Sequence, residues 1–119
     1  MESEGPPSFY AQGVTSPQAS ILVVDDEANI LTLMAETLRL VGFTALTSSS
    51  GVDAINTIRN SHVDLVLLDI NMPIMDGFQV LERIRELRPA MPVIMLSARQ
   101  EKHDVIEGLR KGADDYVAK

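Results

Sequence analysis

From Ser20 onward the chain alternates two textures: short unbroken apolar runs, and longer stretches in which apolar residues recur every three or four positions. The first reads as strands buried on both faces of a parallel sheet, the second as amphipathic helices. Ile21-Leu22-Val23-Val24 closes on Asp25-Asp26. Val63 to Asp69 closes on a carboxylate and the turn Ile70-Asn71-Met72-Pro73, and Pro92 to Ser97 runs through Val93-Ile94-Met95-Leu96 into a hydroxyl. Phe43 to Thr47 and Asp115 to Ala118 complete the set of strands.

Between them, Glu27 to Val41 carries a helical stripe at Ile30, Met34, Leu38 and Val41, stopped by Gly42. Ser50 followed by Asp53 is an N-cap signature for a short helix with Val52, Ile55 and Ile58 inward. Asp76 and Gln79 bracket the next start, with Val80, Leu81, Ile84 and Leu87 as core face and Pro89 as the stop. Gln100 to Lys111 reads as a fourth helix with Val105, Ile106 and Leu109 inward, closed by Gly112.

This alternation calls for an α/β fold: a doubly wound parallel sheet of five strands with right-handed crossovers, in the flavodoxin-like order 2-1-3-4-5. Strands one and three then stand side by side at the switch point, which brings Asp25, Asp26 and Asp69 to one rim. Residues 1–19 hold Pro6, Pro7, Pro17, Gly5, Gly13 and several serines, with Phe9 and Tyr10 as the only large apolar groups. They read as a disordered leader to a single domain over residues 20–119.

Composition narrows the chemistry. A net charge of −7 argues against phosphate-gripping contact with nucleic acid by this segment. Without cysteine there is no disulfide, thiolate catalysis or Cys-bound metal. A reducing cytoplasm fits the lack of cysteine, the acidic start lacks a signal peptide's basic flank, and no window reaches the ~20 apolar residues of a membrane span.

Three carboxylates meeting in one pocket repel one another and call for a cation. Hard oxygen donors favour Mg²⁺ or Mn²⁺, which bind through a few carboxylates plus a phosphate. Asp69 is then a candidate nucleophile toward phosphorus. Ser97 could donate a hydrogen bond to a transferred phosphoryl group, and Lys119 could pair with another of its oxygens. Each residue alone has a plainer reading. Asp26 could cap the first helix, Asp69 could serve the turn before Pro73, and Ser97 could cap a helix. Lys119 could be solvated, Tyr116 a half-buried strand aromatic, and Glu27 a first-turn charge. Taken together, the polar strand ends fall at one rim, which independent turn chemistry does not require.

These residues resemble the receiver domain of two-component response regulators, from Ile21 to Lys119. The resemblance is carried by Val23-Val24-Asp25-Asp26-Glu27, by Leu67-Leu68-Asp69-Ile70-Asn71-Met72-Pro73 with Asp76-Gly77, by Leu96-Ser97-Ala98, and by Gly112-Ala113-Asp114-Asp115-Tyr116-Val117-Ala118-Lys119. It implies that Asp69 accepts a phosphoryl group from a phosphohistidine on a sensor histidine kinase, the domain catalysing its own modification rather than turning over as an enzyme. Asp25, Asp26, Asp69 and the Asn71 backbone carbonyl would hold Mg²⁺. Ser97 and Tyr116 would be the switch pair, and Lys119 would contact the phosphoryl group. The surface of the fourth helix and fifth strand would change partner preference, with a homodimer as one outcome.

Two departures qualify the match. Family members continue past the position of Lys119 with Pro-Phe and a fifth helix, so the chain reads as a domain truncated before that helix. Arg99, Gly108-Leu109 and Gly112 to Tyr116 are similar to receivers that drive winged-helix DNA-binding regulators, yet Val105 stands where many of those carry a basic residue. Two other functions compete. A haloacid-dehalogenase-like phosphatase would also use a strand-end aspartate and Mg²⁺, but it wants a second acid where Asn71 stands. A scaffold of the same fold would work without phosphorylation, and the complete acid set argues against it. No Gly-x-Gly-x-x-Gly follows the first strand, which disfavours a dinucleotide-binding domain.

Overall fold

The computed structural model describes residues 18–97, 112 and 114–118, with residues 97 and 115–118 described as backbone only. The leader up to residue 17, the expected fourth helix at Gln100 to Lys111, and Lys119 lie outside the described residues.

Strands β1 (Ser20–Val24), β2 (Thr44–Ser48), β3 (Leu65–Asp69), β4 (Val93–Ser97) and β5 (Asp115–Ala118) alternate with helices α1 (Ala28–Leu40), α2 (Gly51–Asn60) and α3 (Gly77–Leu87). All pair in parallel, in the order β2-β1-β3-β4-β5. The order 2-1-3-4 is the one expected from the sequence. Register is tight where the site forms: Val24 stands opposite Leu68 and Ser48, and Asp69 opposite Leu96.

One face of the sheet carries the core. Leu22, Val24, Val66, Leu68, Val93 and Met95 pack against Ala54, Ile55 and Ile58 of α2 and Val80, Leu81 and Ile84 of α3. The side chains alternate along each strand, so neighbours in sequence point to the other face. That other face is thinner. Ile21 and Val23 are buried, whereas Leu65, Leu67 and Ile94 are only half-buried. The expectation that the central strand is buried on both faces is therefore corrected: β3 is fully buried on the face toward α2 and α3 and half-buried at Leu65 and Leu67.

Helix ends follow local chemistry. Ser50 Oγ accepts from the Asp53 N–H at 3.1 Å, as its spacing predicted. Asp76 and Gln79 form a reciprocal capping box at 3.0 and 2.9 Å. Gly42, at φ +100, ends α1 in a Schellman turn: Phe43 N–H reaches the Leu38 carbonyl at 3.0 Å and Gly42 N–H reaches Arg39 at 3.1 Å. The helix stripes need correction at their edges. Val41 is 66% exposed because it is the C-cap of α1 rather than its last inward turn, and Ala35 is the buried position of that helix. Val52 is 57% exposed. The inward face of α2 is Gly51, Ala54, Ile55 and Ile58, spaced i, i+3, i+4, i+7.

Candidate functional site

The carboxyl ends of β1 and β3 are neighbours, and the residues that follow them meet. Carboxylate oxygens of Asp25, Asp26 and Asp69 lie within 4.8 Å of one another. Asp25 and Asp69 are buried, at 1% and 2% exposure, and Asp26 is exposed. Burial of two acids beside a third is costly unless a cation or hydrogen-bond donors offset it.

Local backbone fixes the two buried carboxylates. Asp25 N–H donates to the Ser48 carbonyl at 3.1 Å, so β1 stays tied to β2 one residue past its last strand position. Asp25 Oδ1 accepts the Glu27 N–H at 2.9 Å, turning the chain into α1. Asp69 Oδ1 accepts the Asn71 N–H at 3.4 Å, so part of the plain turn reading for Asp69 is correct and coexists with its place in the cluster. The capping reading for Asp26 does not hold. The N-cap of α1 is Glu27, which makes no side-chain cap bond, and Asp26 instead stands in the acid cluster. The positive end of the α1 dipole adjoins the cluster and favours negative charge there.

The loop after β3 is held against the strand by Gly77. Its N–H donates to the Ile70 carbonyl at 2.8 Å. A Cβ on residue 77 would stand 2.4 Å from the Asp69 carbonyl oxygen and 2.7 Å from the Ile70 Cα. Only glycine admits α3 this close to the strand end that carries Asp69. Between them lies a γ-turn: Met75 N–H bonds the Pro73 carbonyl at 2.7 Å across Ile74, whose φ is +70 and whose side chain is fully exposed.

Ser97 ends β4 and pairs with Ala118, and Tyr116 pairs with Met95. Their side chains, and the whole of Lys119, lie outside the described residues. Asn71 is exposed, two positions past Asp69. Sequence reasoning passed over Ile74 and assigned no role to Gly77. Glycine at the first position of a capped helix was the available signal for the second; nothing in the sequence marks the backbone angle of the first.

Could the residues present hold a divalent ion? Hard oxygen donors from three carboxylates within reach of one point fit Mg²⁺ or Mn²⁺ and not a soft thiophilic metal. Among the described residues no helix is long and apolar enough to cross a membrane.

Known proteins share both sequence and fold. The family model for the response regulator receiver domain matches residues 21–119. The transcriptional regulatory protein PrrA of Mycobacterium tuberculosis is 42% identical over 107 residues, covering 90% of this chain and 45% of that protein. The chain thus spans about half the length of the curated relatives it matches. The chemotaxis protein CheY4 of Vibrio cholerae superposes with a TM-score of 0.83 at 28% identity, over 86% of this chain and 87% of that one. Response regulator TrrA of Thermotoga maritima, solved in complex with Mg²⁺ and BeF, superposes at 0.78 with 35% identity, over 86% and 87% of the two chains. With the family's sequence pattern over residues 21–119, its flavodoxin-like fold and an acid cluster at the expected rim, this chain belongs to the response regulator receiver domain family.

Proposed function

We propose that Asp69 is the phosphoacceptor of this receiver domain, that Asp25, Asp26 and the Asn71 carbonyl join it in holding Mg²⁺, and that the donor is a phosphohistidine on a sensor histidine kinase. The observation that carries the reading is the meeting of three acids, two of them buried, at the end of adjacent parallel strands. Receiver domains are signalling modules rather than turnover enzymes, and they work with sensor kinases.

In the transfer, an Asp69 carboxylate oxygen forms a bond to phosphorus as the P–N bond to the donor imidazole breaks, and the ring nitrogen leaves with the electron pair and takes a proton. Bound Mg²⁺ would supply charge neutralisation for the incoming phosphoryl oxygens. The chain's own part is orientation. The Asn71 N–H at Asp69 Oδ1 restricts carboxylate rotation, and Gly77 keeps the loop close to the strand end. Ser97 donates to one phosphoryl oxygen and Lys119 pairs with another. Drawing Ser97 inward reshapes the loop after β4 and changes the setting of Tyr116, which biases the face of the fourth helix and β5 toward a new partner, including a second copy. PrrA is named a transcriptional regulator. Control of transcription in the cytoplasm would be exerted through the portion of the whole protein that this chain does not span, with no nucleic acid or membrane contact by the receiver itself.

Incubation with Mg²⁺ and acetyl phosphate tests the assignment. Intact mass should rise by one phosphoryl group, lost in mild base and absent in Asp69→Asn. An adduct of equal rate and stability on Asp69→Asn overturns it, and so does sustained release of phosphate from many monoesters.

A further inference from the structure

The other end of the sheet carries an arrangement that the phosphoryl chemistry leaves unexplained. Arg85, near the end of α3 and only 21% exposed at its side chain, binds two separate segments. Its Nη1 donates to the Met91 carbonyl at 2.6 Å, in the turn before β4. Its Nε and Nη2 both donate to the Gly112 carbonyl, and Nη2 also meets Asp114 Oδ2 at 3.1 Å. The same Asp114 Oδ2 accepts the Val93 N–H at 2.8 Å, while the Asp114 N–H donates to the Val93 carbonyl at 2.8 Å. Gly112 sits at φ +104 with the Arg85 side chain where a Cβ would be, 3.1 Å from Nε.

From these contacts we infer that Arg85 is a positioning residue for phosphoryl handling: its clasp on Gly112 and Asp114 sets the register of β5 against β4. β5 is a short edge strand of four residues, the kind whose register is weakly specified by its own pattern. The clasp pins its first pairing, Asp115 opposite Ile94, and so dictates that Ala118, the residue before Lys119 in sequence, stands opposite Ser97. A slip of one residue would turn every β5 position to the opposite face and shift the end of the strand, at Ala118, by one step of about 3.3 Å. A guanidinium suits this task because its planar fork serves several oxygens at once, which a lysine ammonium on a flexible stem does not.

The inference rests on Asp69 being the phosphoacceptor, and the test separates the two. Arg85→Ala, Arg85→Lys and Asp114→Asn are compared with wild type by amide hydrogen exchange, by phosphorylation rate with acetyl phosphate, and by Mg²⁺ affinity from calorimetric titration. Arg85→Ala should speed exchange at Val93 and residues 115–118 by about tenfold or more. It should slow phosphorylation several-fold and leave Mg²⁺ affinity unchanged, because the acids lie at the far rim. Arg85→Lys should match Arg85→Ala in both effects, and Asp114→Asn, which keeps an acceptor for Val93, should fall between. Unchanged β5 exchange, faster exchange with normal phosphorylation, or a parallel loss of Mg²⁺ affinity each overturns the positioning role. A wild-type chain that is never phosphorylated overturns the Asp69 reading, and the coupling with it, while the exchange data still report on the clasp.

Discussion

Asp26 differs from its two partners in being exposed, so its removal should cost metal binding with little cost to the fold. Asp26→Asn is expected to abolish the Mg²⁺-induced rise in melting temperature. It should also leave the metal-free protein at least as stable, since one like charge leaves the cluster. Calorimetric melts with and without Mg²⁺ check both halves. A few residues away, Ile74 is a β-branched side chain held at φ +70 in full exposure. Such a conformation costs on the order of 1–3 kcal/mol for a non-glycine residue. Ile74→Gly should therefore stabilise the protein by about 1 kcal/mol after glycine's own entropy cost, measured as a shift in urea midpoint at constant slope. Identities at the strand ends made the acids readable from sequence. The strain at Ile74 was not, because a φ angle follows from how the loop must bend between Pro73 and Gly77.

Elements meet the site through caps and close approach. Gly77 lets α3 begin against the Asp69 and Ile70 backbone, and Gly77→Ala forces the helix or the strand end to move. A loss of about 2–4 kcal/mol is expected, with phosphorylation impaired beyond what the stability loss explains. Denaturant unfolding beside single-turnover rates separates the two effects. Ser50→Ala should cost about 1 kcal/mol and leave phosphorylation alone, since that hydroxyl serves the N-terminus of α2 and is not one of the acids. Both caps were legible because they depend on residues three apart. Inward faces were less so: Val52 and Val41 fit an apolar period but sit beyond the edges of what their helices bury. Ala54 and Ala35, small and easily overlooked in a pattern of larger side chains, take the buried places.

At the scale of the whole molecule, the parallel order puts β1 beside β3, and that adjacency joins acids separated by more than forty positions in the chain. Among the described residues the sheet is fully buried under α2 and α3 and half-buried at Leu65, Leu67 and Ile94. A continuous apolar run cannot reveal which face a helix will cover. Under the proposed function, Asp69 is the one carboxylate that this topology presents to phosphorus. Borohydride reduction after incubation with Mg²⁺ and acetyl phosphate converts an acyl phosphate to an alcohol, and peptide mapping then locates it. Homoserine is expected at position 69 and nowhere else; reduction at Asp25 or Asp26, or at no aspartate in a chain that has gained a phosphoryl group, would overturn the assignment of Asp69.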